Sequence, residues 1–421
     1  MRTLMSLRFC PALLLLVALA AGPVCAAEIP GAKPEDVGMS SAKLKKVDEI
    51  FEGFVEKKRL AGGIVIIARK AKIVHFESYG LADLKTKQPM GKDAILRFYS
   101  MSKAITSAAA MILVDDGKLD LDAPVSKYLP EMKRLKVATG DGLAKPTREV
   151  TTADLLRHTS GMTYGSSPQK AHSEAFEKAK PLDPKQTLSE MSEKLADIPL
   201  AFHPGQYWAY GMSIDVVGRV VEKVSGQKLD EFFQTRIFSP LDMQDTGFYV
   251  PMEKHHRYAT TYNSDSKGKL TPAPTNDQYN FKEPRVWLSG GGGLVSTARD
   301  YMRFLMMVQQ GGQLDGKRVL SKKSVRLMTT SQLPKGIPHI SFGAQQREGV
   351  GFGFGFSVRT KQSDWDSPGR VGEYGWGGLA STHYWVSPKD ELIVIALEQT
   401  LPYSFMTEFA IKNVIYDAIE D

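Results

Sequence analysis

The stretch Phe98-Tyr99-Ser100-Met101-Ser102-Lys103-Ala104-Ile105-Thr106-Ser107-Ala108-Ala109-Ala110-Met111-Ile112-Leu113-Val114 is apolar or small on nearly every face until Asp115 and Asp116. A helix that is hydrophobic all round is a buried one. Lys103 is the only charged group in it, three residues after Ser100, a spacing that puts both side chains on one helical face. A lysine one turn into a buried helix is costly unless paired or neutral, which makes Lys103 a candidate general base for the Ser100 hydroxyl. Ser100 at the helix N-terminus also presents its own backbone N–H toward a developing oxyanion. The alternative is an N-cap serine followed by a lysine that snorkels out of the core. Ser-x-x-Lys begins six times, at Ser40, Ser100, Ser167, Ser225, Ser264 and Ser266, so the tetrapeptide alone decides nothing. The buried context singles out Ser100.

Working outward, Leu44, Val47, Phe51, Phe54 and Val55 recur at helical spacing after Ser40 and Ser41. Gly62 and Gly63 open an apolar strand, Ile64 to Ala68, and Lys72 to Tyr79 reads as its hairpin partner. The far end of the chain mirrors this with Thr382 to Val386, a turn at Ser387-Pro388-Lys389-Asp390, the strand Leu392 to Leu397, and an apolar-periodic helix from Ser404 to Ile419. The middle, from about Leu96 to Lys282, reads as mostly helix and polar loop. These patterns predict an α/β fold: an antiparallel sheet flanked by helices and built from both chain ends, residues 28–95 with 283–421, and an inserted, mainly helical domain over residues 96–282.

The chain has 421 residues, 42% hydrophobic and 24% charged, an ordinary globular composition. Arg2 and Arg8 precede an apolar run from Leu13 to Ala21 that ends in Val24-Cys25-Ala26-Ala27, the pattern of a secretory signal peptide over residues 1–27. The run is shorter than the roughly 20 residues a membrane-spanning helix needs. Cleavage removes Cys10 and Cys25, the only cysteines, and lowers the net charge from +7 to +5, because 52 basic residues then face 47 acidic ones. The mature protein is expected to be exported, periplasmic or secreted, without stable membrane insertion. Its interleaved charges show no basic stripe for nucleic acid.

The chain resembles the serine β-lactamase and penicillin-binding-protein superfamily, in which Ser-x-x-Lys is the acylation motif, and most closely its class C β-lactamase-related branch with the family VIII carboxylesterases. Blocks from about Pro34 to Ile415 carry this resemblance. They include Asp115 to Val125, Leu155-Leu156-Arg157-His158-Thr159-Ser160-Gly161-Met162, His203-Pro204-Gly205, Gly218 to Glu222 with Ser225-Gly226, and Gly290 to Arg299. The resemblance implies a β-lactamase/transpeptidase-like fold with Ser100 as nucleophile and Lys103 as base. Tyr210 matches the tyrosine of the second motif, Tyr-x-Asn, and would relay a proton beside Lys103. Met212 stands where that motif has asparagine, which places it among the implied substrate-binding residues with Trp376, Gly377 and Gly378, although it has no amide to hold a substrate amide. Trp376-Gly377-Gly378-Leu379 matches the third motif, normally Lys-Thr-Gly or His-x-Gly. There the Leu379 N–H is the implied second oxyanion donor beside Ser100, the two glycines admit the substrate, and Trp376 offers an apolar wall in place of a cation.

No His-Glu-x-x-His or cysteine cluster supports a metal site, no Gly-x-Ser-x-Gly marks an α/β-hydrolase, and Gly290 to Gly293 reads as a tight turn into Leu294-Val295-Ser296-Thr297 rather than a phosphate cradle. No cofactor is expected. The sequence therefore predicts an exported serine hydrolase acting on carboxylic esters of short or medium acyl chain through an acyl-enzyme on Ser100. A β-lactamase or D-amino-acid-specific peptidase is the alternative favoured by export toward peptidoglycan. A catalytically silent binding or sensor protein on the same fold is a third.

Overall fold

A computed structural model describes residues 28–140, 142–275, 280–366 and 368–421. The expected signal peptide, with Cys10 and Cys25, lies outside the described residues. Among those described, no helix is long and apolar enough to cross a membrane.

An eight-stranded antiparallel sheet organises the molecule. Across it run Val350–Phe352, Ser357–Arg359, Tyr374–Gly378, Thr382–Ser387, Leu392–Glu398, Gly62–Arg69, Lys72–Asp83 and Gln88–Pro89. The first and last parts of the chain meet at its centre, where Ile64 pairs with Leu397 and Ile66 with Ile395. Gly62–Arg69 is buried along its whole length, as its unbroken β-branched run demands. Alternation then divides its side chains between two cores. Ile64, Ile66 and Ala68 face the large core with Ile393, Ile395 and Leu397, whereas Val65 and Ile67 face a smaller one with Val394 and Ala396. Each fully buried isoleucine contributes about 1.5–3 kcal/mol relative to exposure.

The smaller core is closed by the helices Ser41–Glu56 and Met406–Asp417. Ser40 N–H bonds Ala418 O at 2.8 Å, so the two ends of the described chain are stitched together. On the opposite face lies the helix Ser102–Asp115, in which 12 of 14 residues are buried. Ala104, Ala108, Ala109 and Ala110 let it pack closely against the helix Ser213–Ser225, while the helix Ala298–Gln309 lies against the central strands Gly62–Arg69 and Leu392–Glu398. The large core continues without a break from the sheet into the helical middle, joining Ile66 and Ile395 to Met191, Val217 and Phe232.

The sequence pattern locates both hairpins and both terminal helices. It does not reveal Val350–Phe352 and Ser357–Arg359, short strands separated by Gly353 and Gly355 that show no useful alternation. The middle also holds more strand than expected, including the pairs Val137–Thr139 with Gly142–Ala144 and Tyr262–Ser264 with Leu270–Pro272.

Candidate active site

Leu96–Arg97 pairs with Val295–Ser296 and delivers the chain to the top of the buried helix. Tyr99 then takes φ +43°, a left-handed conformation that costs a non-glycine residue on the order of 1 kcal/mol. Its hydroxyl is held by Arg97 Nη1 at 3.3 Å, and its ring meets Phe281 edge-on at 6.2 Å. Ser100 follows within a single 3₁₀ turn, Tyr99–Met101, that runs into the α-helix at Ser102.

Lys103 is fully buried, and three oxygens surround its amine: Gly291 O at 2.6 Å, Ser100 Oγ at 3.2 Å and Tyr164 Oη at 3.3 Å. Gly291 is held in turn, its N–H donating to Asp215 Oδ1 at 3.1 Å while Ser289 Oγ donates to the same oxygen at 2.5 Å. A Cβ on Gly291 would overlap the Asp215 carboxylate, and one on Gly290 would press on Thr106 and the Ile214 carbonyl. The glycine run is thus a wedge between two helices that presents a carbonyl to Lys103, a role not read from the sequence. Burial pushes the Asp215 carboxyl up against the opposing pull of Lys103 and these hydrogen bonds. Burial, and then the Asp215 charge, hold the Tyr164 hydroxyl well above the ordinary phenol range, so it remains protonated.

Tyr210 reaches the site differently from the sequence expectation. Its ring lies over Lys103, with Nζ 4.5 Å from the centroid, and its hydroxyl accepts from Trp376 Nε1 at 3.3 Å. The phenol hydrogen-bonded to the lysine is Tyr164. Behind Tyr210 sits His158, fully buried and 5.0 Å from it between ring centroids, kept neutral first by burial and then by the Lys103 charge.

Trp376 is in place on the sheet strand Tyr374–Gly378, packed on Tyr210, Phe342 and Phe352. Its N–H is occupied by Tyr210 rather than offered to a ligand. A Cβ on Gly378 would overlap the Phe98 carbonyl, so this glycine lets the strand press against the segment just before Ser100, and Leu379 lines the same cavity as Ser100. Gly377 is confined by Tyr403 and the Thr382 carbonyl. Both glycines answer to packing, whereas the motif resemblance implied substrate clearance.

Met212 requires a correction. It is 0% exposed, precedes the helix Ser213–Ser225, and packs into the large core rather than lining the cavity. An apolar side chain there satisfies an apolar surrounding, and Met212 does not reach the cavity that holds Ser100.

Ser100, Tyr210, Trp376, Phe342, Tyr403 and Phe405 line one cavity of about 560 Å³. Sequence reasoning missed Tyr164 and Asp215. The available signal was a carboxylate set among the apolar residues Ile214, Val216 and Val217, and a tyrosine two residues past the His158 to Met162 block. No three His, Cys, Asp or Glu side chains converge to hold a metal ion among the described residues.

A family model for beta-lactamase matches residues 47–413. The chain belongs to the beta-lactamase family. This beta-lactamase-family chain is 36% identical over 354 residues to Protein Rv1367c of Mycobacterium tuberculosis, covering 82% of this chain and 86% of that one. It is 30% identical over 410 residues to esterase EstB of Burkholderia gladioli, covering 91% and 98%. The solved structure of EstCE1, a hydrolase with promiscuous acyltransferase activity, matches with a TM-score of 0.77 at 26% identity, over 89% of this chain and 98% of that one. The β-lactamase/transpeptidase-like fold implied by the sequence blocks is therefore the fold of this chain, and its class is that of a serine hydrolase.

Proposed function

We propose that the protein is an exported serine hydrolase that cleaves carboxylic esters through an acyl-enzyme on Ser100. The observation that carries this reading is the 3.2 Å approach of Lys103 Nζ to Ser100 Oγ at an aromatic-walled cavity whose third-motif position holds Trp376 in place of a cation. The esterase EstB, similar over nearly its whole length, supports the substrate class, and the pattern of residues 1–27 supports export.

In its neutral form the Lys103 amine has two N–H bonds and one lone pair. With Gly291 O and Tyr164 Oη taking the N–H bonds, the lone pair is left to the Ser100 hydroxyl. Ser100 Oγ attacks the ester carbonyl carbon and its proton passes to Lys103. The charge on the carbonyl oxygen is met by the backbone N–H groups of Ser100 and Leu379. Collapse breaks the bond to the alkoxy oxygen, which leaves as the alcohol with the proton from Lys103. Water repeats the sequence on the acyl-enzyme, releasing the acid and restoring Ser100.

The test compares p-nitrophenyl butyrate with a chromogenic cephalosporin, in wild type and in Ser100→Ala. Wild type is expected to turn over the ester far better, and Ser100→Ala to lose on the order of 10⁴ or more with its fold intact. A fluorophosphonate adduct should map to the Ser100 peptide. Equal efficiency on both substrates would replace this reading by the β-lactamase one, and an adduct on another serine would overturn the nucleophile.

A further inference from the structure

Within the cavity that holds Ser100 stands a second unusual group, Arg347. It closes the short hairpin Ile340–Phe342 with Gln345–Arg347, and its guanidinium carbon lies 4.3 Å from the Phe342 ring centroid, 4.9 Å from Trp365 and 5.0 Å from Phe405. Three aromatic faces around one cation make a cage. Phe342 in turn lies 5.6 Å from Tyr210 and 6.1 Å from Trp376, so Arg347 is one ring removed from the wall beside the nucleophile.

The other cations of this cavity are matched. Lys412 Nζ stands 2.6 Å from both Asp366 and Glu373, and Arg359 pairs with Asp366 at 2.6 Å. The carboxylate that faces Arg347 from the C-terminal helix, Glu408, is taken by His383 Nδ1 at 2.9 Å and lies 3.9 Å from Lys412. Arg347 forms no ion pair with a described carboxylate, and its buried Nε has no hydrogen-bond partner among the described residues. Burial works against its charge and is opposed by Tyr403, by Glu408 and then by Tyr210.

An arginine stacked between rings keeps the edge of its planar fork for a planar anion, which it binds through two parallel N–H bonds. We infer that Arg347 forms an anion subsite at the far end of the cavity, and that the preferred substrates are esters carrying a carboxylate about one ring's length from the scissile bond. The inference rests on the esterase reading above and narrows its substrate class. It also separates two kinds of carboxylate. In a β-lactam the carboxylate adjoins the reacting amide and would meet Trp376, whereas the half-ester of a longer dicarboxylic acid, or an aryl ester with a para carboxylate, spans to Arg347.

The experiment measures kcat/KM for two matched pairs, mono-p-nitrophenyl adipate against p-nitrophenyl hexanoate and para-acetoxybenzoate against phenyl acetate, in wild type, Arg347→Gln and Arg347→Lys. In at least one pair wild type should favour the anionic ester. Arg347→Gln should cut that preference on the order of tenfold through KM, leave kcat on the neutral ester within about threefold, and be partly rescued by Arg347→Lys. Anionic-to-neutral ratios that are the same in wild type and Arg347→Gln for both pairs overturn the subsite. So does an equal fall on anionic and neutral esters, which would make Arg347 a prop for the aromatic wall. Calorimetric titration of adipate into Ser100→Ala needs no turnover: binding lost in Ser100→Ala with Arg347→Gln supports the subsite, and binding absent or unchanged overturns it. If neither neutral ester is hydrolysed by wild type, the esterase reading fails while the adipate titration still decides the subsite.

Discussion

The hydroxyl of Tyr164 lies 3.3 Å from Lys103 Nζ and makes the phenol–lysine hydrogen bond of the site. Tyr210, the tyrosine that the sequence motif points to, gives the same lysine its ring face at 4.5 Å and lends its hydroxyl to Trp376. Two phenols therefore flank one amine in different ways, one through its hydroxyl and one through its π face.

This arrangement makes Tyr164 the partner whose loss is coupled to that of Lys103. Lys103→Ala is expected to lower kcat by about 10³-fold, and Tyr164→Phe by about 10²-fold, within the range for general acid–base groups. Their double variant should lose much less than the product, because Tyr164 acts through Lys103, whose amine it orients. Tyr210→Phe keeps the ring over the lysine and should lose less than tenfold in kcat. Steady-state kinetics of these four variants, of Lys103→Ala combined with Tyr210→Phe, and of wild type test this. Multiplicative losses for Tyr164 and Lys103, with coupling between Tyr210 and Lys103 instead, would return the relay to Tyr210.

Gly378→Ala forces a Cβ into the Phe98 carbonyl, on the strand that carries Leu379. Overpacking of this kind costs about 1–3 kcal/mol. Activity at temperatures well below unfolding should fall further than that cost explains, because the strand end that holds the Leu379 N–H is displaced from Ser100. Thermal unfolding paired with kcat/KM at 25 °C measures both; an unchanged kcat/KM in a folded variant would separate this strand from the oxyanion site.

Met212→Asn would restore the family's residue type at a position that is fully buried in an apolar core. An amide without partners there should destabilise the protein by about 1–3 kcal/mol and leave cephalosporin turnover unimproved, alone or with Trp376→Lys. Denaturant titration and a chromogenic cephalosporin assay check the two halves. A gain in lactam turnover from Met212→Asn would mean that this side chain reaches substrate after all.

Asp154 links the family's Leu155 to Met162 block to pH. Burial raises its carboxyl, but Arg148, the Thr151 N–H and Arg157 outweigh burial and bring it to about 2. A carboxylate depressed on folding stabilises the protein above its unfolded value of 3.8, and this contribution is lost as pH falls through that value toward 2. The window corresponds to about 2 kcal/mol. Urea midpoints between pH 5 and pH 2.5 should fall less steeply in Asp154→Asn, which should already be destabilised at pH 7. Parallel pH profiles for the two proteins would show that Asp154 does not set acid stability.

Ser100 and Lys103 were legible because a charged residue inside a uniformly apolar helix is a local anomaly, visible without any neighbour in space. The central strands were legible for a similar reason. Ile64 to Ala68 and Leu392 to Leu397 are apolar on both faces, and only a sheet covered on both sides accepts that. Trp376, Gly377 and Gly378 were picked out through the family motif, and they lie on a strand lining the cavity that holds Ser100.

Other features depend on residues far apart in the chain, and no local pattern carries them. Gly291 lies 188 positions from Lys103, yet its carbonyl holds the lysine amine. Tyr164 joins the same amine from a loop 61 positions away, at the cost of displacing Tyr210 from the role its motif suggested. Met212 stands at a substrate position by the family motif and is buried in the large core, outside the cavity lining. Arg347 has no signature in the sequence at all. Its meaning arises only because folding brings Phe342, Trp365 and Phe405 around it and leaves the neighbouring carboxylates to Lys412, Arg359 and His383. Local composition determined which segments had to be buried and which side chain was out of place among them. Which groups meet, and which charges are left without a partner, was decided by tertiary packing, because hydrogen bonds and ion pairs are satisfied across space and not along the chain.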